Sequence, residues 1–110
     1  MIKKQLYRIF FGLLILLFTQ NSFAQSPAIQ WQKSFGGSGG DGGSSIRQTA
    51  DGGYIIAGTS DSNDGDITTN YGFSDYWVVK TNEDGDILWQ KSYGGTGVDA
   101  ANDIIQTSDG

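Results

Sequence analysis

Two stretches of the sequence carry the letters Gly-Gly-x-Gly-x-Asp, at residues 36–41 and 94–99. This pattern begins the nonapeptide of calcium-binding parallel β-rolls, in which neighbouring turns hold the ion between their Gly-x-Asp segments. A β-roll needs the motif about every nine residues, whereas here it recurs after 58. The spacing favours a different structure, a sharp glycine turn between strands in which Asp41 and Asp99 bind backbone amides.

A second candidate calcium site is an acidic loop that places hard oxygen ligands close together, at Asp61, Asn63, Asp64 and Asp66. The loop lacks the ligand order and the bidentate Glu of an EF-hand, and so does the shorter stretch 82–86. The alternative is a solvated loop of an acidic protein. No cofactor is predicted apart from calcium at residues 61–66.

Catalytic chemistry has few candidates. The chain has no histidine and no cysteine, which excludes Ser-His-Asp and Cys-His catalysis and zinc sites that need those ligands. A carboxylate pair such as Asp84 and Asp86 could serve glycoside hydrolysis only if two acids faced each other across a cleft, and turn formation explains both. Aromatic residues could stack on sugars, although their alternating positions favour packing between sheets; they are Trp31, Trp77, Trp89, Tyr54, Tyr76 and Tyr93.

The N-terminus predicts export. A basic segment, residues 1–8, precedes the apolar run 9–18, and Ser22 and Ala24 place small residues at −3 and −1 of a cleavage site after Ala24. A membrane anchor is the alternative, but the run is shorter than the ~20 residues that span a bilayer. We predict a signal peptide over 1–24, no membrane span after its removal, and a secreted or cell-surface protein.

The net charge of residues 25–110 limits the classes of partner that the segment can bind. Three of the seven bases lie in residues 1–24, so the segment 25–110 has four bases against twelve acids and a net charge of −8. This charge argues against nucleic acid as a partner, because phosphate binding needs clustered Lys or Arg. Without cysteine, the chain must be stabilised by packing rather than by disulfides.

An internal repeat organises the whole segment 25–110. Aligning Trp31 with Trp89 gives an offset of 58, with 13 of 22 positions identical up to Gly110. Such a period is typical of propeller and solenoid arrays. Within one period, alternation and β-branched runs separated by Asp-Gly turns predict strands over 45–49, 53–60, 75–82 and 87–94, with a long loop over 61–74. The stretch 28–36 matches the fourth strand and is predicted to be a strand that closes a propeller.

These features resemble a known family. Trp31, the Gly36-Gly37 pair, Thr-x-Asp-Gly-Gly-Tyr over 49–54 and Asp-Tyr-Trp-Val-Val-Lys over 75–80 are similar to the SBBP-like β-propeller repeats of secreted bacterial proteins. Those repeats often precede a type IX secretion sorting domain. The resemblance covers 29–110 and implies an extracellular scaffold made of four-stranded blades.

The expected fold is therefore all-β, an incomplete propeller fragment with one full antiparallel four-stranded blade and parts of its neighbours. The expected function is that of a non-enzymatic scaffold or binding module, with an unknown glycan or protein partner recognised through the 61–74 loop. Neighbouring blades of a longer chain would be further partners. The alternative is a fragment of an extracellular propeller hydrolase, of glycosidase or sialidase type, whose catalytic residues lie in other blades.

Overall fold

The computed structural model describes residues 25–110, so the predicted signal peptide lies outside the described residues. It contains four strands: β1 (Asp41–Gln48), β2 (Tyr54–Ser60), β3 (Asp75–Thr81) and β4 (Ile87–Tyr93). They form one antiparallel sheet in the order β1-β2-β3-β4. No helix occurs within 25–110, and hence none there that could cross a membrane. The all-β class and the four antiparallel strands are confirmed.

Two hairpin turns define the register at one end of the sheet. Gly52, between β1 and β2, has a φ of 85°, and Gly85, between β3 and β4, has a φ of 78°. Only glycine adopts such angles without strain. Each turn also contains a side-chain acceptor: Asp51 Oδ1 accepts the Gly53 N–H at 3.1 Å, and Asn82 Oδ1 accepts the Asp86 N–H at 2.8 Å. Both Asp-Gly turns stand where the sequence predicts them.

The sheet is apolar on both faces, which we call the first and the second face. The first face carries Trp77 and Val79, which are buried with Ile67 from the 61–74 loop. The second face carries Ile55, Ala57 and Val78, which are buried on the other side of the same strands. Burial on both sides explains the continuous apolar runs of β2 and β3.

The predicted alternation of β4 was wrong, and the strand predicted at 45–49 is present but longer. Strict alternation along β4 predicts Ile87, Trp89, Lys91 and Tyr93 on one face, but a register shift at Lys80/Thr81 pairs Thr81 with Ile87 and Lys80 with Trp89. Leu88 is the extra residue of this bulge, so Ile87 packs on the first face and Trp89 lies on the second. Residues 45–49 were expected as a short strand, yet β1 begins at Asp41 with an irregularity between Gly43 and Ser45.

The stretch 28–36 is not a strand either, which corrects the prediction of a closing strand. It crosses the first face of the sheet. Trp31 meets the Tyr54 ring edge-on, with centroids 5.6 Å apart, and Phe35 packs against the cluster of Ile67, Trp77 and Val79. A segment over a sheet face has no strand edge within hydrogen-bonding distance, so its side chains hold it instead of a backbone ladder.

The tryptophans on the two faces differ in how much of each side chain is exposed. Trp77 is 6% exposed and Trp89 is 47% exposed. We expect Trp77→Ala to lower the free energy of unfolding by about 3–5 kcal/mol, the usual cost of removing a buried tryptophan. Trp89→Ala, the matched control, should cost less than about 1 kcal/mol. Urea unfolding followed by circular dichroism measures both, and equal losses would contradict this difference in burial.

Candidate functional site

The densest polar region lies where the glycine corner 36–40 meets the acidic loop 61–66. Successive backbone amides of the corner donate to side-chain oxygens of the loop. The pairs are Gly36 to Asp66 at 3.0 Å, Ser38 to Asp64 at 2.7 Å, Gly39 to Ser62 at 2.8 Å, and Gly40 to Asp61. The loop returns two backbone bonds, from Asp61 N–H to Gly40 O and from Asp66 N–H to Gly36 O, both at 3.0 Å.

Glycine is required on the corner because the loop approaches it closely. A Cβ on Gly37 would lie 2.7 Å from the Ser62 Cβ and in contact with Asp64. Real side chains do not approach so closely, so any other residue would push the loop away and break the amide bonds. Contact with the loop, which the sequence did not predict, therefore explains Gly37 and Gly39.

Asp41 connects the corner to the end of β2. Its carboxylate accepts the Gly37 N–H at 2.8 Å, the Ser62 hydroxyl at 3.0 Å and the Ser60 hydroxyl. Burial raises the pKa of Asp41, but the hydrogen bonds from Ser60, Gly37 and Ser62 outweigh it, so the pKa lies below 3.8. The predicted amide-capping role of Asp41 is confirmed.

The second corner, 94–99, repeats this hydrogen bond. Asp99 Oδ2 accepts the Gly95 N–H at 2.8 Å, the same bond as between Asp41 and Gly37 at an offset of 58. The Asp99 N–H also donates to Ser74 O at 2.7 Å. Beside this corner lies Asp75, which is 1% exposed and whose Oδ1 has no hydrogen-bond partner. The capping role predicted for Asp99 is confirmed as well.

The proposed carboxylate ligands of the loop each already accept a backbone hydrogen bond. Asp61, Asp64 and Asp66 each bind a different amide of the corner, and Asn63 is exposed. Within residues 25–110, no three acidic side chains come together in a group that could hold a metal ion. Calcium binding by this loop stays a prediction, and the structure gives the carboxylates a second role that holds without any ion.

Sequence reasoning missed a partly buried ion pair beneath the first hairpin turn. Lys80, 8% exposed on the second face, donates to Asp51 Oδ2 at 2.9 Å and to Thr81 O at 2.8 Å. Hydrogen bonds from Thr49, Lys80 and Gly53 hold the pKa of Asp51 well below its usual range. A lysine inside the apolar stretch 75–81 was the available signal, because a buried lysine needs an acceptor.

The remaining candidate residues fall into two groups. Asp86 binds Lys33 and Asn82 in the second hairpin turn, and the Lys33 and Asn82 hydrogen bonds lower its pKa. The Asp84 N–H donates to Asn82 Oδ1 at 3.0 Å in the same turn, so the turn role predicted for Asp84 and Asp86 is confirmed.

Of the aromatic residues, Tyr76, Trp89 and Tyr93 are 40%, 47% and 44% exposed, whereas Trp77 is buried.

No family model, no curated protein and no solved structure matches this chain.

A first test separates the two roles of the acidic loop. Asp64→Ala removes the acceptor of the Ser38 amide, so we expect a loss of about 1 kcal/mol in the free energy of unfolding. The neighbouring Asn63→Ala is the control and should change it little. The loss should be equal in EDTA and in calcium. A loss seen only in calcium, together with heat on calorimetric titration of calcium, would instead identify Asp64 as a ligand.

A second test measures how the stability contributed by Asp41 depends on pH. Because the pKa of folded Asp41 lies below its unfolded value of 3.8, ionised Asp41 stabilises the fold above about pH 4. That contribution is lost as the pH falls through the folded pKa. We expect the melting temperature of Asp41→Asn to be lower than that of the parent at pH 6, and the difference to shrink towards pH 2. A constant difference across this range would contradict the ionised role of Asp41.

Proposed function

We propose that this chain is a secreted, non-enzymatic β-propeller repeat segment that acts as a scaffold or binding module. The observation that carries the proposal is how the two faces of the sheet are covered. Residues 31–35, which match β4 in sequence, pack on the first face. Residues 103–106, which match β1, bond to the β1 side of the sheet. Stacked blades have this arrangement, in which each unit is covered by strands of its neighbours.

The contact on the β1 side supports the 58-residue period directly. The Ser45 hydroxyl donates to Asp103, and these residues occupy the same position in successive periods. Arg47 donates to the same carboxylate at 3.1 Å, and Gln106 Oε1 accepts the Ala50 N–H at 2.9 Å. Equivalent positions that touch are expected where the inner strands of adjacent blades stand side by side around an axis.

The binding surface would be the 61–74 loop. Its first half is fixed to the glycine corner, while its second half presents Tyr71 and Phe73, 54% and 77% exposed. Aromatic rings held on a loop by a rigid sheet are common contacts for sugars and proteins. The negative charge of the segment agrees with a partner other than nucleic acid. The partner we propose is a glycan or a protein at the cell surface.

One experiment on the exported chain tests this function. The full chain, expressed in a bacterium with a secretory pathway, should be exported with a mass that begins at Gln25. The purified product should bind members of a glycan microarray or a surface protein of its host. Tyr71→Ser with Phe73→Ser should reduce that binding about ten-fold or more. Ile29→Ser, an equally exposed apolar change outside the loop, is the matched control.

Three results would contradict the proposal. The first is retention of the chain in the cytoplasm. The second is binding that the loop variant leaves unchanged. The third is hydrolysis of fluorogenic glycosides that disappears in a carboxylate variant, which would favour the extracellular hydrolase.

A further inference from the structure

Asp75 carries a buried carboxylate oxygen without a hydrogen-bond partner. The side chain is 1% exposed, and its Oδ2 accepts the Tyr71 N–H, whereas nothing donates to Oδ1. Among the side chains of residues 25–110, Oδ1 of Asp75 is the one fully buried polar atom in this situation. A buried carboxylate oxygen without a partner is costly, and a bound ion or water is the usual explanation.

Within residues 25–110, no basic side chain pairs with Asp75. The hydroxyl of Ser60, which lies opposite Asp75 on the neighbouring strand, donates to Asp41 instead. The four basic side chains of this segment all have other partners: Lys33 with Asp86, Arg47 with Asp103, Lys80 with Asp51, and Lys91 over the Tyr93 ring. A positive charge that neutralises Asp75 must therefore come from outside these residues.

Asp99 brings a second carboxylate to the same point. A Cβ on Gly94, the residue after β4, would contact Asp75 Oδ1 and would lie 2.8 Å from Asp99 Oδ2. Glycine at this position thus leaves the two oxygens facing one small space, which any other side chain would fill. Two carboxylates that converge in this way repel each other unless a cation lies between them.

We propose that Asp75 and Asp99 bind a calcium ion at the 94–99 corner. Calcium combines carboxylate, carbonyl and water oxygens in a flexible geometry. Asp99 keeps its bond from the Gly95 N–H, because a carboxylate offers about four acceptor positions. Gly94 and Gly95 are exposed, so water can reach the ion and complete its ligands. With two acids, we expect the affinity of extracellular calcium modules, a Kd of about 10⁻⁴–10⁻³ M.

The first corner carries the same motif in different surroundings. Asp41 stands 58 residues before Asp99 and likewise accepts a glycine amide. There the hydroxyls of Ser60 and Ser62 also donate to the carboxylate, so neutral donors satisfy both of its oxygens. The inference therefore places calcium at the second corner alone, and it depends on Asp75, which lies outside the motif.

An ion at this place joins β3, the corner and the second half of the 61–74 loop. Asp75 begins β3 and accepts the Tyr71 N–H, while the Phe73 N–H donates to Gly97 O of the corner at 3.2 Å. Calcium bound between Asp75 and Asp99 would hold these segments together. Its binding should therefore raise the thermal stability of the chain.

Thermal unfolding of the purified chain tests the inference. Calcium at about ten times its Kd multiplies the folding equilibrium constant about eleven-fold. From EDTA to about 10 mM calcium chloride at equal ionic strength, the melting temperature should rise by about 5 °C or more. Asp75→Asn and Asp99→Asn should each abolish this rise. Asp41→Asn, the matched control at the equivalent position of the first corner, should keep it.

The order of the melting temperatures supplies a second readout. In EDTA, Asp75→Asn should melt at or above the temperature of the parent, because the variant removes the repulsion and its carboxamide can donate to Asp99. In calcium, the parent should melt at the higher temperature. A variant that melts below the parent by the same amount in both solutions would show that Asp75 has a purely structural role.

Terbium(III), which occupies calcium sites, supplies a third readout. Tyr76 follows Asp75 in the sequence and Tyr93 precedes Gly94, so light absorbed by these rings should excite a terbium ion bound at the corner. The luminescence should fall when calcium is added. It should be lost in Asp75→Asn and in Asp99→Asn, while Asp64→Asn in the acidic loop should leave it unchanged.

Three results overturn the inference. The first is a parent chain whose melting temperature calcium leaves unchanged. The second is a calcium-dependent rise or a terbium signal that survives in both corner variants. The third is loss of the signal in Asp64→Asn, which would assign the ion to the acidic loop. Asp99 is only partly buried, so its variant decides the matter if Asp75→Asn fails to fold. No readout involves export or a glycan or protein partner, so failure here leaves the proposed function to its own test.

Discussion

The structure depends on one constraint, a sheet that is apolar on both faces. Ile55 and Val78 on one side and Trp77 and Val79 on the other cannot all be buried by four strands alone. A sheet with two apolar faces needs a layer on each side. Residues 31–35 provide one layer and residues 103–106 provide part of the other. Both segments lie outside the four strands. Segments that precede and follow the four strands in the sequence therefore cover the apolar faces of the sheet.

The acidic character of the loop follows from a second constraint, the unpaired amides of the glycine corner. A turn made of successive glycines exposes N–H groups that no strand satisfies, and buried or partly buried amides need acceptors. Asp61, Asp64 and Asp66 supply them, one oxygen to one amide. The sequence of these residues suggests a cation site, but in the structure their carboxylates accept hydrogen bonds from backbone N–H groups. The acidic residues of this region therefore have a structural role as hydrogen-bond acceptors.

The sequence predicted the elements well and their mutual positions less well. Strand centres and both Asp-Gly turns follow from local chemistry, namely β-branched runs and the positive φ that glycine permits. The bulge at Leu88 could not be predicted, because alternation alone does not show where one strand carries an extra residue. The failure at 28–36 has the same origin. Its letters fit a strand, but a strand also needs an edge to pair with, and that depends on tertiary context.

The candidate site shows the same division between local and tertiary information. The bonds of Asp41 to Gly37 and of Asp99 to Gly95 span only four residues, so motif reasoning identified them. The bonds from residues 36–40 to 61–66 span more than twenty, and nothing in either stretch alone points to the other. The structure gives the Gly-Gly-x-Gly-x-Asp motif a physical explanation other than calcium binding. Glycines let two loops approach, and carboxylates bind the amides that the approach brings into reach. An ion-binding turn and a loop-binding turn need the same residue types, so only the spacing and the partners distinguish them.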